Sequence, residues 1–336
     1  MKIQDIILAP LSWLFGLVIS IRNGLYKAKI LHSRTVSIPT IAVGNLAVGG
    51  TGKTPFVEYL IRTLSPHYKI AVLSLGYKRR TRGFVMADEK ATALTIGDEP
   101  MQIHQKFPSI PVAVCKDRIH GIHRLQQLVP DLQAVILDDA FQYRRLRCGF
   151  YILLTAYDRL YIDDHFLPLG RLRDNKHESL RASAVVVTKC PSHMRPIDQR
   201  IVDTKLHLPV FQHLHFASIT YPELVTNQRV LVVAGIANPE YLVDQIKKSN
   251  PKTEVLTYPD HHAFSGKDIA EIEHAAQSAD VIYTTEKDYM RLSTMELPDS
   301  IRTKLQTVPI RTQITDEEVL VKHLHQYINE NIYTHK

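Results

Sequence analysis

The eight residues Ala47-Val48-Gly49-Gly50-Thr51-Gly52-Lys53-Thr54 directly follow the apolar run Ile38-Pro39-Thr40-Ile41-Ala42-Val43 and have the chemistry of a phosphate-holding loop. Glycines let the backbone curl until its N–H groups face an anion, a lysine reaches the outer phosphates, and a threonine hydroxyl can bind Mg2+. The candidate nucleotide contacts are therefore Gly49, Gly50, Thr51, Gly52, Lys53 and Thr54. Pro55 comes next, and a proline in a first helical turn costs no hydrogen bond. Ala47 stands where the pattern G-x-x-x-x-G-K-[ST] has its first glycine, so the match is not complete.

Further along, Ala134-Val135-Ile136-Leu137-Asp138-Asp139 reads as an apolar strand ending in two carboxylates. Beside a phosphate loop, such a strand-end pair is placed to hold Mg2+ together with Thr54. Asp98 and Glu99 lie in the turn Ile96-Gly97-Asp98-Glu99-Pro100, and spacing alone leaves Asp98 either an acidic helix cap or a general base. Pro259-Asp260-His261-His262 follows a later strand, and a histidine there can be structural or catalytic. Neither Thr284-Thr285-Glu286-Lys287-Asp288 nor Thr188-Lys189-Cys190-Pro191 has the asparagine of an N-K-x-D guanine reader in register, so ATP is the expected nucleotide.

Elements must bring these residues together. Ile70–Ser74, Pro111–Val114, Ala134–Leu137, Tyr151–Leu154 and Ala184–Val187 are apolar on both faces, as parallel strands covered by helices are. Their alternation with helical stretches predicts a doubly wound α/β domain, whose ligands sit beyond the carboxyl ends of the strands. The pattern loosens near 205–228 into alternating segments such as Phe211–Phe216, and a second, smaller α/β series begins at Val230.

Ile6 to Ile21 carries no charge, contains Pro10, and is followed by Arg22, Lys27 and Lys29. It is short for a spanning helix and fits a helix lying in a membrane interface; the alternative is a helix of the protein's own core. The net charge of +7 gathers in clusters at Lys78–Arg82, Arg144–Arg147 and Arg171–Arg181, which points to an anionic partner. No zinc finger or aromatic–basic alternation supports nucleic acid. The three cysteines, Cys115, Cys148 and Cys190, have no metal or disulfide spacing.

Taken in order, Gly44-Asn45, the phosphate loop through Pro55, Gly97-Asp98-Glu99-Pro100, Asp138-Asp139-Ala140-Phe141-Gln142, Pro259–His262 and Thr285-Glu286-Lys287-Asp288 resemble the tetraacyldisaccharide 4′-kinase (lipid A 4′-kinase) family along nearly the whole chain. The resemblance implies an α/β fold of two α/β/α domains, the first a P-loop NTPase-like doubly wound sheet, joined by a small β-linker. The corresponding bounds are an apolar membrane-associating helix over 1–30, a kinase domain over 31–208, the linker over 209–228 and the smaller domain over 229–330.

The family's activity would be transfer of the ATP γ-phosphate to the 4′-hydroxyl of a tetraacylated disaccharide 1-phosphate, giving lipid IVA. The setting would be the cytoplasmic face of a Gram-negative inner membrane, and a monomer bound at that anionic surface is expected. Carried over by residue, Lys53 is the phosphate-loop lysine, Thr54 with Asp138 and Asp139 the Mg2+ side, and Asp98 with His261 the base. Asn45, Tyr77, Glu99, Gln142 and Arg171 fall among the expected substrate contacts. The chain departs from the family at Leu75, where an arginine is frequent, at Ala140 for glycine and at Tyr143 for histidine. Lys78, Arg79 or Arg80 could replace the missing charge.

Two other classes share a phosphate loop. A P-loop ATPase/GTPase switch or metallochaperone would hydrolyse nucleotide without a lipid acceptor, and a non-catalytic membrane scaffold would not bind Mg·ATP.

Overall fold

Apolar runs that would expose both faces in isolation are the interior of one large sheet. The structure is a computed structural model that describes residues 3–236, 238–260 and 262–332. The first half supplies β1 (Thr40–Asn45), β2 (Ile70–Ser74), β3 (Val85–Met86), β4 (Val112–Val114), β5 (Ala134–Leu137), β6 (Phe150–Ala156), β7 (Ala184–Cys190) and β8 (His213–Thr220). The remainder supplies β9 (Val230–Ala234), β10 (Thr253–Thr257), β11 (Val281–Thr285), β12 (Leu305–Val308) and β13 (Arg311–Ile314). The helices are α1 (Ile3–Lys27), α2 (Lys53–Leu64), α3 (Ala93–Ile96), α4 (Asp98–Lys106), α5 (Arg118–Leu128), α6 (Pro196–Leu206), α7 (Glu240–Ser249), α8 (Gly266–Ala276), α9 (Glu286–Leu292), α10 (Asp299–Arg302) and α11 (Glu317–Ile332).

The large sheet has the order β13-β8-β7-β6-β1-β5-β2-β4-β3, parallel throughout except at its antiparallel edge strands β3 and β13. Both faces of its central strands are covered, by Phe56, Leu60 and Leu64 of α2 on one side and Ile122 and Leu125 of α5 on the other. β1 and β5 are neighbours with Ala42 opposite Leu137, so the phosphate loop after β1 and the Asp138-Asp139 pair after β5 emerge at one end of the sheet. The smaller sheet is β10-β9-β11-β12, parallel throughout.

Two strands near the connections belong to the large sheet. β8, inside the expected linker, pairs with β7, and β13 returns to pair with β8. The chain therefore goes out and comes back at adjacent positions. The smaller unit does not run on to 330: Leu320, Leu324 and Ile328 of α11 are fully buried against Ile41, Val43 and Phe150 of the large sheet. The Tyr327 hydroxyl closes that contact, accepting from Thr40 N at 3.0 Å and donating to Thr40 O at 3.2 Å. The 3.6-residue spacing of α11 demanded a buried face; which sheet would cover it is a long-range fact.

The core-helix alternative for the N-terminus fails, since only 17% of the apolar stretch of α1 is buried. One face docks through Ser12, whose hydroxyl donates to Phe166 O at 2.7 Å, and Asn23, whose amide donates to Asp174 Oδ1 at 2.7 Å. The other leaves Ile7, Leu11, Trp13, Leu14, Val18 and Ile21 more than half exposed.

His215 on β8 is 1% exposed, and neither ring nitrogen has a hydrogen-bond partner. Burial first, then repulsion from His213, lowers it from 6.5 to about 4, with Asp316 opposing and His323 adding a smaller repulsion. The unfolded chain therefore binds this proton more readily, and stability is lost as pH falls from 6.5 to about 4. At about 1.4 kcal/mol per pKa unit, the ceiling is about 3 kcal/mol. Urea unfolding of His215→Leu and the parent protein across that window measures it: the free-energy difference should move in the variant's favour as pH falls, by up to about 3 kcal/mol.

Candidate active site

The phosphate loop takes its curl from Gly49 at φ 106° and Gly52 at φ 78°, a left-handed region that other residues adopt only with strain. Ala47 needs no such freedom. It forms an antiparallel bridge with Leu172, flanked by Val48 N donating to Arg171 O and Arg173 N donating to Leu46 O, both at 2.8 Å. The position that departs from the usual glycine is thus extended backbone, pinned along one side by residues 171–173.

Asn45, expected among the substrate contacts, is fully buried and holds the loop instead. Its amide nitrogen donates to Thr51 Oγ1 at 2.6 Å and its Oδ1 accepts from Arg173 Nη2 at 2.5 Å. Gln142 Nε2 donates to the Asn45 carbonyl at 2.6 Å, and the Gln142 carbonyl accepts from Arg22 of α1 at 3.2 Å. Thr188 Oγ1 donates to Thr51 O at 2.9 Å from the end of β7.

The two carboxylates after β5 differ in setting. Asp138 is 1% exposed; its Oδ2 accepts from Ser74 Oγ at 3.0 Å, and its Oδ1 has no hydrogen-bond partner. Burial first, then the charges of Glu99 and Asp139, push it up to about 7 against the pull of Lys53. Asp139 sits at φ 48°, accepts from both terminal nitrogens of Arg173, and lies 3.9 Å from Lys53 Nζ. Burial would raise it, but Lys53 and Arg173 outweigh that and hold it below the usual carboxylate range.

A buried oxygen without a partner suits a cation. Among the described residues no cluster of three His, Cys, Asp or Glu could form an all-protein metal cage.

Cations surround the loop. An added Cβ on Gly49 would lie 3.5 Å from Arg171 Nη1, and one on Gly50 would lie 3.8 Å from Lys189 Nζ. Lys189 is lowered by burial and by Arg171, with Asp158 opposing. Comparing residues 188–191 only with a guanine reader misses this lysine. The available signal is its place just after an apolar parallel strand, on the sheet edge where the phosphate loop lies.

The opposite wall begins at Gly97, whose φ of 95° makes the turn that places Asp98 and Glu99 in the first turn of α4. Asp98 Oδ2 is 3.3 Å from Arg291 Nε, and Glu99 Oε1 is 3.4 Å from Lys287 Nζ, both cations coming from α9. After burial, the charge of Glu99 is the largest influence raising Asp138, so this wall faces the end of β5. His261 lies outside the described residues. Its neighbour His262 stacks on Tyr258 at 4.9 Å and places Nε2 3.0 Å from Asp268 Oδ2, at the cap of α8. Tyr77 is 58% exposed, with Lys78 Nζ 5.7 Å from its ring centre. Arg79 is committed to the carbonyls of Val114 and Gly83, which leaves Lys78 and Arg80 the exposed cations beside Tyr77.

A sequence model of the LpxK family, described as tetraacyldisaccharide-1-P 4′-kinase, matches residues 4–329. A protein named tetraacyldisaccharide 4′-kinase from Flavobacterium johnsoniae is 44% identical, with 97% of this chain and 98% of that protein covered. One of the same name from Bacteroides thetaiotaomicron is 40% identical over 96% of this chain and 93% of its own. A crystal structure of LpxK from Aquifex aeolicus in complex with ATP matches with a TM-score of 0.73 at 26% identity, covering 95% of this chain and 98% of that one.

Lys189 should contribute to anion binding at the loop. Calorimetry with inorganic tripolyphosphate should give about tenfold weaker binding for Lys189→Ala, the value of one charge-assisted contact.

Proposed function

The chain belongs to the tetraacyldisaccharide-1-P 4′-kinase family and is a kinase of lipid A biosynthesis, and we propose that it joins the ATP γ-phosphoryl group to its lipid acceptor in the crevice between the phosphate loop and α4. What supports this reading is that Lys53 lies 3.9 Å from Asp139 and that the charge of Glu99, the neighbour of Asp98 in the first turn of α4, acts on Asp138. Phosphoryl transfer needs positioning and charge neutralisation more than covalent chemistry from the protein.

The loop amides of Gly49 to Thr54 and the Lys53 ammonium take the phosphates of ATP, with Arg171 and Lys189 adding positive charge over Gly49 and Gly50. Thr54 and Asp138 would hold Mg2+, which screens the triphosphate charge when bound. Asp138 is preferred to Asp139 because its Oδ1 has no partner, whereas Asp139 is occupied by Arg173 and Lys53. Asp98 accepts the proton of the acceptor's 4′-hydroxyl as that oxygen bonds to the γ-phosphorus and the bond to ADP breaks. His261 is the proposed partner of Asp98. Tyr77 and Glu99 are the proposed contacts on the acceptor side, whereas the Gln142 amide is taken up by the Asn45 carbonyl.

The acceptor carries acyl chains, so α1 acquires a purpose. Its exposed apolar face, followed by Lys27 and Lys29, would lie in the anionic cytoplasmic surface of the inner membrane. Its docked face grips Phe166 and Asp174, in the segment that also carries Arg171 and Arg173. A substrate leaving the bilayer along α1 therefore arrives beside the phosphate loop. The proposed state is a monomer at that surface.

With radiolabelled ATP and a lipid A disaccharide 1-phosphate in detergent, label should pass to the lipid; label found only as inorganic phosphate would favour the switch-ATPase alternative. Asp98→Ala should lower turnover by about tenfold or more with ATP affinity changed less than about twofold. Asp138→Asn should raise the Mg2+ concentration for half-maximal activity by about tenfold or more. For the membrane, the double variant Trp13→Glu/Leu17→Glu should lose sedimentation with anionic vesicles while its activity on detergent-dispersed acceptor persists; undiminished sedimentation would remove α1 from that role.

A further inference from the structure

Arg291 lies on α9 of the smaller unit, just beyond the Thr285-Glu286-Lys287-Asp288 motif but outside it. Its side chain is 10% exposed and meets acceptors on separate segments. Nε is 3.3 Å from Asp98 Oδ2, Nη2 is 3.2 Å from Asp288 Oδ1, and Nη1 donates to the His262 carbonyl at 3.0 Å. Asp288 is fully buried, and its Oδ2 accepts from Gly235 N at 2.9 Å and from Thr285 Oγ1 at 2.7 Å. That carboxylate is fixed to the ends of β9 and β11, and it fixes the arginine from behind.

Two features separate this arginine from an ordinary brace. Nε and Nη2 are buried with no aligned hydrogen bond, so their contacts with the carboxylates are ion pairs made off the N–H axis. The third contact goes to the loop 259–262, the loop that carries His261.

We propose that Arg291 is a positioning residue for phosphoryl transfer, pairing with Asp98 to orient it from the smaller unit and fixing, through the His262 carbonyl, the loop that follows β10. The contact also spans the two sheets, so the base is complete only when the smaller unit is seated on α4. This role rests on the reading of Asp98 as the base.

A double-mutant cycle on the full-length protein tests it, with Arg291→Met, Asp98→Asn and the pair, reading kcat, acceptor KM, ATP affinity and thermal midpoint. Arg291→Met should lower kcat by about tenfold with ATP affinity within about twofold, and should cost less than about threefold when Asp98 is already Asn, because its target is gone. Arg291→Lys should recover part of kcat, since it restores charge without the three-way reach. If Arg291→Met loses its thermal transition, the same cycle run with Arg291→Lys decides. An equal fractional loss in both backgrounds, or an unchanged kcat, overturns the role of Arg291 alone. Full turnover in Asp98→Asn overturns the base assignment itself and this role with it.

Discussion

Two neighbouring carboxylates at a buried strand end cannot both stay charged unless cations are built around them, and much of this molecule follows from that constraint. The structure meets it unequally. Asp139 takes Lys53 and the two terminal nitrogens of Arg173, while Asp138 takes one hydroxyl and keeps an oxygen in reserve. Arg173 reaches Asp139 because residues 171–173 run along the phosphate loop, and the same guanidinium holds Asn45, which in turn holds Thr51. Asp174, the next residue, receives Asn23 of α1. A single chain of polar contacts thus runs from the acidic pair through the loop to the apolar helix, which ties the site's shape to the docking of α1.

The wall opposite is organised by the same means across a different boundary. Lys106 lies 2.7 Å from both Glu58 and Glu286, Lys287 lies within 4 Å of Glu99 and Asp260, and Arg291 lies between Asp98 and Asp288. Each cation is shared between carboxylates of α2 or α4 on one side and of the smaller unit on the other. The Glu286-Lys287-Asp288 run that superficially matches a guanine reader is this clasp. Beside these ion pairs an apolar cluster crosses the same boundary, Met290 of α9 packing with Ile96, Met101 and Val114 of the large unit, so the seam joins charge pairing to a small hydrophobic contact. It also makes the setting of Asp98 and Glu99 depend on how the units sit.

Much of this was legible in local sequence. The glycine loop, the apolar strand ending in Asp138-Asp139 and the turn at Gly97 each announce themselves within a few residues, and parallel pairing of β1 with β5 brings the first two together. What stayed hidden depended on distant partners. Arg173, Lys189 and Arg291 are ordinary basic residues until a strand edge or the other unit is brought against them. Asn45 matched a family motif and was expected at the substrate, yet its burial and its bonds to Thr51 and Arg173 make it a brace. β8 and α11 were readable as a strand and an amphipathic helix; that both return to the large sheet is set by which apolar surface remained uncovered.

The missing glycine at Ala47 belongs to the same logic. A glycine is required in such a loop where φ must be positive or where the backbone must approach a phosphate. Here the positive φ values fall at Gly49 and Gly52, and position 47 is extended against Leu172. The strand-like pairing that lets alanine stand there is what draws Arg171 over Gly49 and aims Arg173 at Asp139. An irregularity in the motif and the charge balance of the acidic pair therefore have one cause, the segment 171–173 laid alongside the loop.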